Sequence, residues 1–510
     1  MDGVEQLKQD VRDGRVSAER LVELLVSLQQ ELQAARQSLD DARRRIAELE
    51  KTRGGAETVK FAEPFSLRAE EQRQESRGKN KRKPKRPLRR GRVTTAEKIK
   101  LAQRIEKVFP AGVPPSDCQL SHTRPVWRLE EGRAVLIASE IYRGPKNRYG
   151  KIPGVLGRSE FGLEIVIGIG SQVHMVGLSF DKVCLLMNFF QNLPLRKSQV
   201  DALLNQLSRH WEGEFERLCT LLANSAVVPT DETSWSLNSV WAFLSEKVRV
   251  LFFGVHKDAA TLAAILDPAT FAGIVVSDDA AVYANFTHAQ KCWAHLLRKA
   301  IKLTLLEPSN AEYRRFTDRL LEIDRSACRV QRDGRLSDAG RARKVAELDD
   351  EILDDEILEL CGPTWLAELP PSEGAANDFR WLCNELMRLM LARELFTFVT
   401  AAPVPTPQGE TQPVSGTNNE SERTLRSSAT ARNTGRTNKT FGGARRQTIL
   451  VSVLESLRCF LPTYTLKTVI DEVQRWSDTG QSCFAQLLTT LQLVPPTTSL
   501  LDRLLPVPSG

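Results

Sequence analysis

Between Ala226 and Leu303 the sequence leaves few arrangements open. AVVPTDETSW (226–235), VWAFLSEK (240–247) and VRVLFFGV (248–255) are three β-rich runs separated by short turns. KDAATLAAIL (257–266) then has a helical pattern, and FAGIVV (271–276) reads as a buried strand ending at Ser277-Asp278-Asp279. AQKCWAHLLRKAIKL (289–303) returns to helix. The order β-β-β-α-β-α predicts a mixed sheet with helices packed on it, a fold of mixed α+β and α/β class.

The rest of the 510 residues divides around this block. Leu21, Leu25, Leu28, Leu32, Ala35, Leu39, Ala42, Ile46 and Leu49 alternate spacings of four and three, which predicts a zipper-like coiled-coil helix over 1–53 and self-association through it. Residues 54–95 are polar and basic and are expected to form a disordered linker. A small mixed region follows at 96–160, with a β-like run at Ala134–Tyr142, and a helical region at 161–224 that could carry a helix-turn-helix. The first part of the core spans 225–305 and a helical segment 306–404. The second part of the core covers 405–460, with a Pro-rich loop at 402–416 at its junction with the helical segment, and a tail region covers 461–510. NNESERTLRSS (418–428) opens a helix, with Asn418 or Asn419 as cap.

Charge is distributed unevenly. The whole chain carries +7, and the run RGKNKRKPKRPLRRGR at 77–92 supplies ten of the basic residues, leaving −3 for the remainder. Such a local excess predicts a polyanion contact through Lys79, Lys81, Arg82, Lys83, Lys85, Arg86, Arg89 and Arg90. Arg423, Arg426, Arg432 and Arg436 form a second basic cluster, interleaved with small polar residues.

Hydrophobic residues at 41% and charged residues at 26% are globular values and exclude collagen-like and wholly disordered chains. The longest apolar stretch, Gly162 to Phe180, is interrupted by Glu164, Gln172 and His174, so no membrane span is expected. The first 30 residues show no signal-peptide pattern, and the expected location is cytoplasmic. Nine cysteines without a CxxC pair read as thiols in a reducing compartment. Cys118 and His122 alone do not make a zinc site, and no zinc is expected.

Asp231 is read at the end of the first strand and Asp278 at the end of the buried strand. A carboxylate ending an apolar strand needs solvent, a cation or a partner. Two such groups on adjacent strands, joined by a third such as Glu422, would suit hard divalent cations, Mg²⁺ or Mn²⁺. Three acids holding two metals can run in-line phosphoryl transfer. Spacing alone does not separate these acids from their neighbours Glu232, Asp279 and Glu420.

PTDETSW (229–235), SDDAAVY (277–283), CWAHLLR (292–298) and NNESER-x-x-R (418–426) resemble, in order, the catalytic blocks of the insertion sequence 66 family of bacterial transposases. The resemblance covers roughly 150–460, plus the zipper in kind. It implies a DDE transposase with an RNase H-like core interrupted by a helical insertion. The matching positions are Asp231, Asp278 (chosen over Asp279 by its distance from Tyr283) and Glu422 (the Glu directly before Arg). The resemblance also places His295 beside the metals or the scissile phosphate. The family's cysteine-paired zinc module is missing, and Thr417 stands where an Asp usually precedes the Asn pair.

The function implied is metal-dependent cleavage at the ends of an insertion sequence and joining of the 3′-OH to target DNA. Double-stranded DNA, a second copy of the chain and small accessory transposition proteins are the implied partners. The alternatives are an RNase H-like nuclease that cuts without joining and a domesticated, non-catalytic coiled-coil DNA-binding protein.

Overall fold

The computed structural model of the chain describes residues 93–353, 374–405 and 410–506. The heptad helix and the basic run from Lys79 to Arg90 lie outside the described residues.

The described chain opens with α1 (Thr95–Lys100), held by a capping box between Thr94 and Glu97. Four strands follow: β1 (Arg104–Val108), β2 (Gln119–Glu130), β3 (Arg133–Gly144) and β4 (Arg148–Tyr149), in spatial order β1-β3-β2 with β4 also on β3. Glu131 (φ 48°) and Gly132 (φ 78°) turn β2 back onto β3 in the left-handed conformation that right-twisted hairpins favour. The sequence pattern marks β3 but not β2, because the first half of β2 lies exposed and has no apolar alternation. Cys118 and His122 flank the start of β2 and bond locally, to the Pro114 carbonyl and the Ser121 hydroxyl.

Three helices come next, α2 (Leu163–His174), α3 (Phe180–Gln191) and α4 (Lys197–Ala223). α4 buries Val200, Leu204, Leu207, Trp211, Phe215, Leu218 and Leu222, an apolar stripe at helical spacing.

A five-stranded sheet is the centre of the molecule. It contains β5 (Val227–Trp235), β6 (Asn238–Leu244), β7 (Arg249–Val255), β8 (Ile274–Ser277) and β9 (Ala289–Lys291), in the order β7-β6-β5-β8-β9. α5 (Ala259–Ile265) connects β7 to β8. β5, β6 and β7 form an antiparallel meander, whereas β8 and β9 run parallel to β5. Adjacent residues of each strand face opposite layers. Val228 and Val275 enter a core shared with α4, and Val227 and Val276 enter a second core of helices on the other side. The mixed α/β class therefore holds.

One detail corrects the sequence reading. Asp231 does not end its strand, because β5 continues to Trp235 through pairing with β6 (Asp231 opposite Ala242). Pairing with β8 does stop early, at Pro229 opposite Val276. Asp231 thus sits where β5 loses one neighbour and keeps the other.

The second core belongs to α6 (Trp293–Leu306), α7 (Ala311–Arg332), α8 (Asp338–Leu353), α9 (Ala375–Leu391) and α10 (Thr397–Thr400). Backbone near α10 is tied to the sheet: Gln290 and the Trp293 indole both donate to the Leu395 carbonyl, at 2.9 and 2.7 Å. A short ribbon, β10 (Val404–Pro405) with β11 (Thr411–Gln412), leads to α11 (Asn419–Asn433) and α12 (Phe441–Phe460). α13 (Leu466–Thr479), α14 (Cys483–Thr490) and α15 (Leu500–Leu504) complete the chain. No described helix is long and apolar enough to cross a membrane.

α12 does something unusual for a helix on a sheet. Thr448, Ser452 and Ser456 recur every four residues, and their hydroxyls accept the N–H groups of Phe253, Leu251 and Arg249 at 3.0, 2.9 and 3.0 Å. Ser452 and Ser456 also donate to the Leu251 and Arg249 carbonyls. The free edge of β7 is thereby satisfied by side chains instead of another strand.

Candidate active site

The strand register brings two acids to one fork. Continuing the β5–β8 pairing two residues past Pro229 and Val276 sets Asp231 opposite Asp278, directly beyond the end of β8. α11 is anchored at the same place. Fully buried Asn418 donates from its side chain to the Thr230 carbonyl (3.4 Å) and from its backbone to Cys292 Sγ (3.4 Å). The Trp293 N–H donates to the Gly416 carbonyl at 3.1 Å. These bonds fix the first turn of α11, and with it Glu422, beside β5 and the start of α6.

Asp231 registers the crowding. Burial pushes its carboxyl up to about 7, helped by the negative charges of Glu232, Asp278 and Glu422, against an opposing hydrogen bond from the Glu232 backbone. Asp278 accepts the Ala280 N–H at 3.0 Å. Glu422 accepts from Arg298 at 2.7 Å and lies 3.4 Å from His295 Nε2. His295 is held below its ordinary pKa by burial and by Arg298, so it is neutral near pH 7, and its buried Nδ1 has no hydrogen-bond partner.

The competing acids are turned elsewhere. Glu232, on the opposite face of β5, accepts from the Tyr283 hydroxyl and pairs with Lys257 at 2.7 Å. Asp279 pairs with Arg388 and Glu420 with Arg249. Among the described residues no three His, Cys, Asp or Glu side chains are grouped tightly enough to hold a metal ion. Glu422 is instead paired with Arg298 and lies beside His295.

The basic residues divide by what they touch. Arg423 and Arg426 are exposed on α11 and have no ion-pair partner among the described residues. Arg432 instead donates to Thr233 Oγ1 (3.1 Å) and the Ser234 carbonyl (3.0 Å), tying the end of α11 to β5. Arg436 bonds to the Gly177 carbonyl and the Thr434 hydroxyl. Farther on, Arg445 is buried with Glu212 and Asp502, and Arg446 pairs with Asp201 at 2.5 Å.

Three neighbours escape a sequence reading. Arg298 closes the CWAHLLR block one helical turn after His295, and nothing in that block marks it as a partner of Glu422. Asn418 is legible only as a cap, and Lys291 only as part of a helix. Lys291 is in fact buried on β9, donates to Ser277 Oγ at 3.2 Å, and has its pKa lowered by burial.

No curated protein matches the chain. The profile of the Transposase IS66 family matches residues 162–446, more than half the chain, and that span runs from α2 into the first turns of α12. It contains Asp231, Asp278, His295, Arg298 and Glu422 together. The chain belongs to the IS66 family of transposases.

Proposed function

We propose that the chain is a metal-dependent DDE transposase that cuts at the ends of its own element and joins the freed 3′-OH to target DNA. Asp231, Asp278 and Glu422 are its catalytic, metal-holding acids. The observation that carries this reading is the register that sets Asp231 opposite Asp278 at the β5–β8 fork. The upward push on Asp231 from both other acids supports the grouping. The order of three antiparallel strands followed by two parallel ones supports an RNase H-like core at 225–305 and 405–460, with 306–404 inserted.

The donor set fits a hard divalent cation. Three mutually repelling carboxylates offer only oxygen, which suits Mg²⁺ or Mn²⁺. Asp231 and Asp278 would hold it from neighbouring strands, and Glu422 from α11 after exchanging Arg298 for the ion. Such a cation, when bound, supplies Lewis-acid stabilisation of the attacking and leaving oxygens. The chain's own residues do the rest. The anchored first turn of α11 keeps Glu422 beside the fork, Arg298 and neutral His295 place donors next to it, and Arg426 grips the backbone of the DNA being cut. The basic run from Lys79 to Arg90 adds phosphate contacts that carry no sequence information. The heptad helix pairs two chains, small accessory proteins join them at the element ends, and the work is cytoplasmic, at the nucleoid.

The test compares acids with their neighbours. Asp231→Asn, Asp278→Asn and Glu422→Gln should still bind duplexes carrying the element ends yet neither cut nor join them. Asp279→Asn and Glu420→Gln should keep cutting. The opposite pattern overturns the assignment. Cutting without joining by the unaltered protein would replace the transposase with a nuclease, and binding without cutting would leave a non-catalytic DNA-binding protein.

A further inference from the structure

α11 presents a second face. Glu422 points toward the acids, whereas Glu420, Arg423, Thr424 and Ser427 line a cleft of about 970 Å³ between α11 and α12. Leu251 and Phe253 of β7 form its floor, and the turn from Met175 to Phe180 forms its far wall.

The lining is strongly cationic. Six basic residues (Arg249, Arg423, Arg436, Lys439, Arg446 and Arg458) face two acids, Glu420 and Glu455. Arg249 and Arg446 are already neutralised, by Glu420 and Asp201, each at 2.5 Å. At Arg423, Arg436 and Arg458 the positive charge is poorly matched among the described residues. Arg423 has no acidic partner among the described residues, and Arg436 bonds to a neutral carbonyl and a hydroxyl. Arg458 is 65% exposed and, among the described residues, pairs with Glu455 at 3.9 Å. Burial raises the pKa of Glu455. Thr424, Ser427, Thr437, Asn438 and Gln447 add neutral hydrogen-bonding groups.

Arg423, Arg436 and Arg458 stand on three separate elements around the cleft, on α11, on the α11–α12 connection and on the last turn of α12. Charges spread this way suit an extended anion with repeating charge better than a single small one. We propose that this cleft is a second DNA-backbone site, one that holds a phosphodiester segment other than the one being cut. The inference rests on the reading of the chain as a DNA-processing transposase. The acids and the cleft share α11 as a common wall, so a strand in the cleft lies across one helix, about 10 Å thick, from the cutting site.

Full-length protein and a labelled random-sequence duplex, with the matching single strand in parallel, provide the test across a sodium chloride series. Arg423→Glu with Arg458→Glu should weaken binding at least tenfold at low salt and reduce the salt slope by about two, at roughly 0.9 per phosphate contact for duplex. Loss on either DNA form supports the site. Unchanged affinity and slope, with a normal melting temperature, would overturn it. If the pair fails to fold, Arg458→Gln alone on its exposed turn should still lower the slope by about one, and no change there overturns the proposal equally. Asp231→Asn separates the two readings, since its DNA binding should match the unaltered protein. Cutting by the unaltered protein and not by Asp231→Asn, with unchanged binding in the cleft variants, removes only the cleft. Normal cutting by Asp231→Asn, with a reduced slope in the cleft variants, removes only the three-acid mechanism.

Discussion

Arg298 Nη2 donates to Glu422 Oε1 at 2.7 Å, across 124 positions of sequence. On the function proposed above, a divalent cation held by Glu422 would take the place of this guanidinium. A cation must compete with it. Arg298→Gln should therefore lower the Mn²⁺ concentration that half-maximally raises the melting temperature by about fivefold, the equivalent of about 1 kcal/mol for a largely exposed charge pair. An unchanged Mn²⁺ titration would show that Glu422 is not a ligand.

Asp231 gives a pH dependence of defined sign. Its folded pKa, about 7, lies above its ordinary value of 3.8, so the folded chain binds more protons between those limits. The associated stability is fully present below 3.8 and is lost as pH rises toward 7. Asp231→Asn removes that loss. Without divalent ions, the variant should gain on the unaltered protein as pH rises from 5 to 8, by roughly 2 kcal/mol after allowance for partial solvent contact. Melting curves at several pH values check this, and a constant difference between the two proteins would contradict it.

Arg426 and Arg432 lie on one helix and should behave oppositely. Arg426→Ala should leave melting unchanged and reduce the salt slope of DNA binding by about 0.9. Arg432→Ala breaks the bonds to Thr233 and Ser234 and should cost roughly 1–2 kcal/mol of stability, with the slope preserved. Reversed outcomes would exchange their roles.

The fork itself was partly legible. β5 to β8 stand out because their apolar runs are long and bounded by turns. β9 does not, because its three residues are all buried yet two of them, Gln290 and Lys291, are polar and bond to Leu395 and Ser277 outside the strand. Asp231 reads as a strand end because its strand is apolar before it and polar after it; only pairing with β6 carries β5 onward. Nor can spacing tell Asp278 from Asp279, or Glu422 from Glu420. The discriminating partners, Arg388 and Arg249, are 109 and 171 residues away and meet these acids only in the folded chain.

Ser452→Ala should leave the Leu251 N–H buried without a partner, at a cost of roughly 1–3 kcal/mol. Thermal or urea denaturation measures it. A neutral result would mean that water reaches the strand.

That hydroxyl row has a further consequence. At the opposite side of the sheet, the Lys291 N–H donates to the Glu394 carbonyl at 2.9 Å and the Phe398 N–H to Gln290 Oε1, also at 2.9 Å. Both borders of the sheet are therefore occupied from within. A neighbouring copy finds no open strand at either border of this five-stranded sheet. Edge-to-edge splicing through that sheet, the route by which strands fuse into fibrils, is closed by the chain itself.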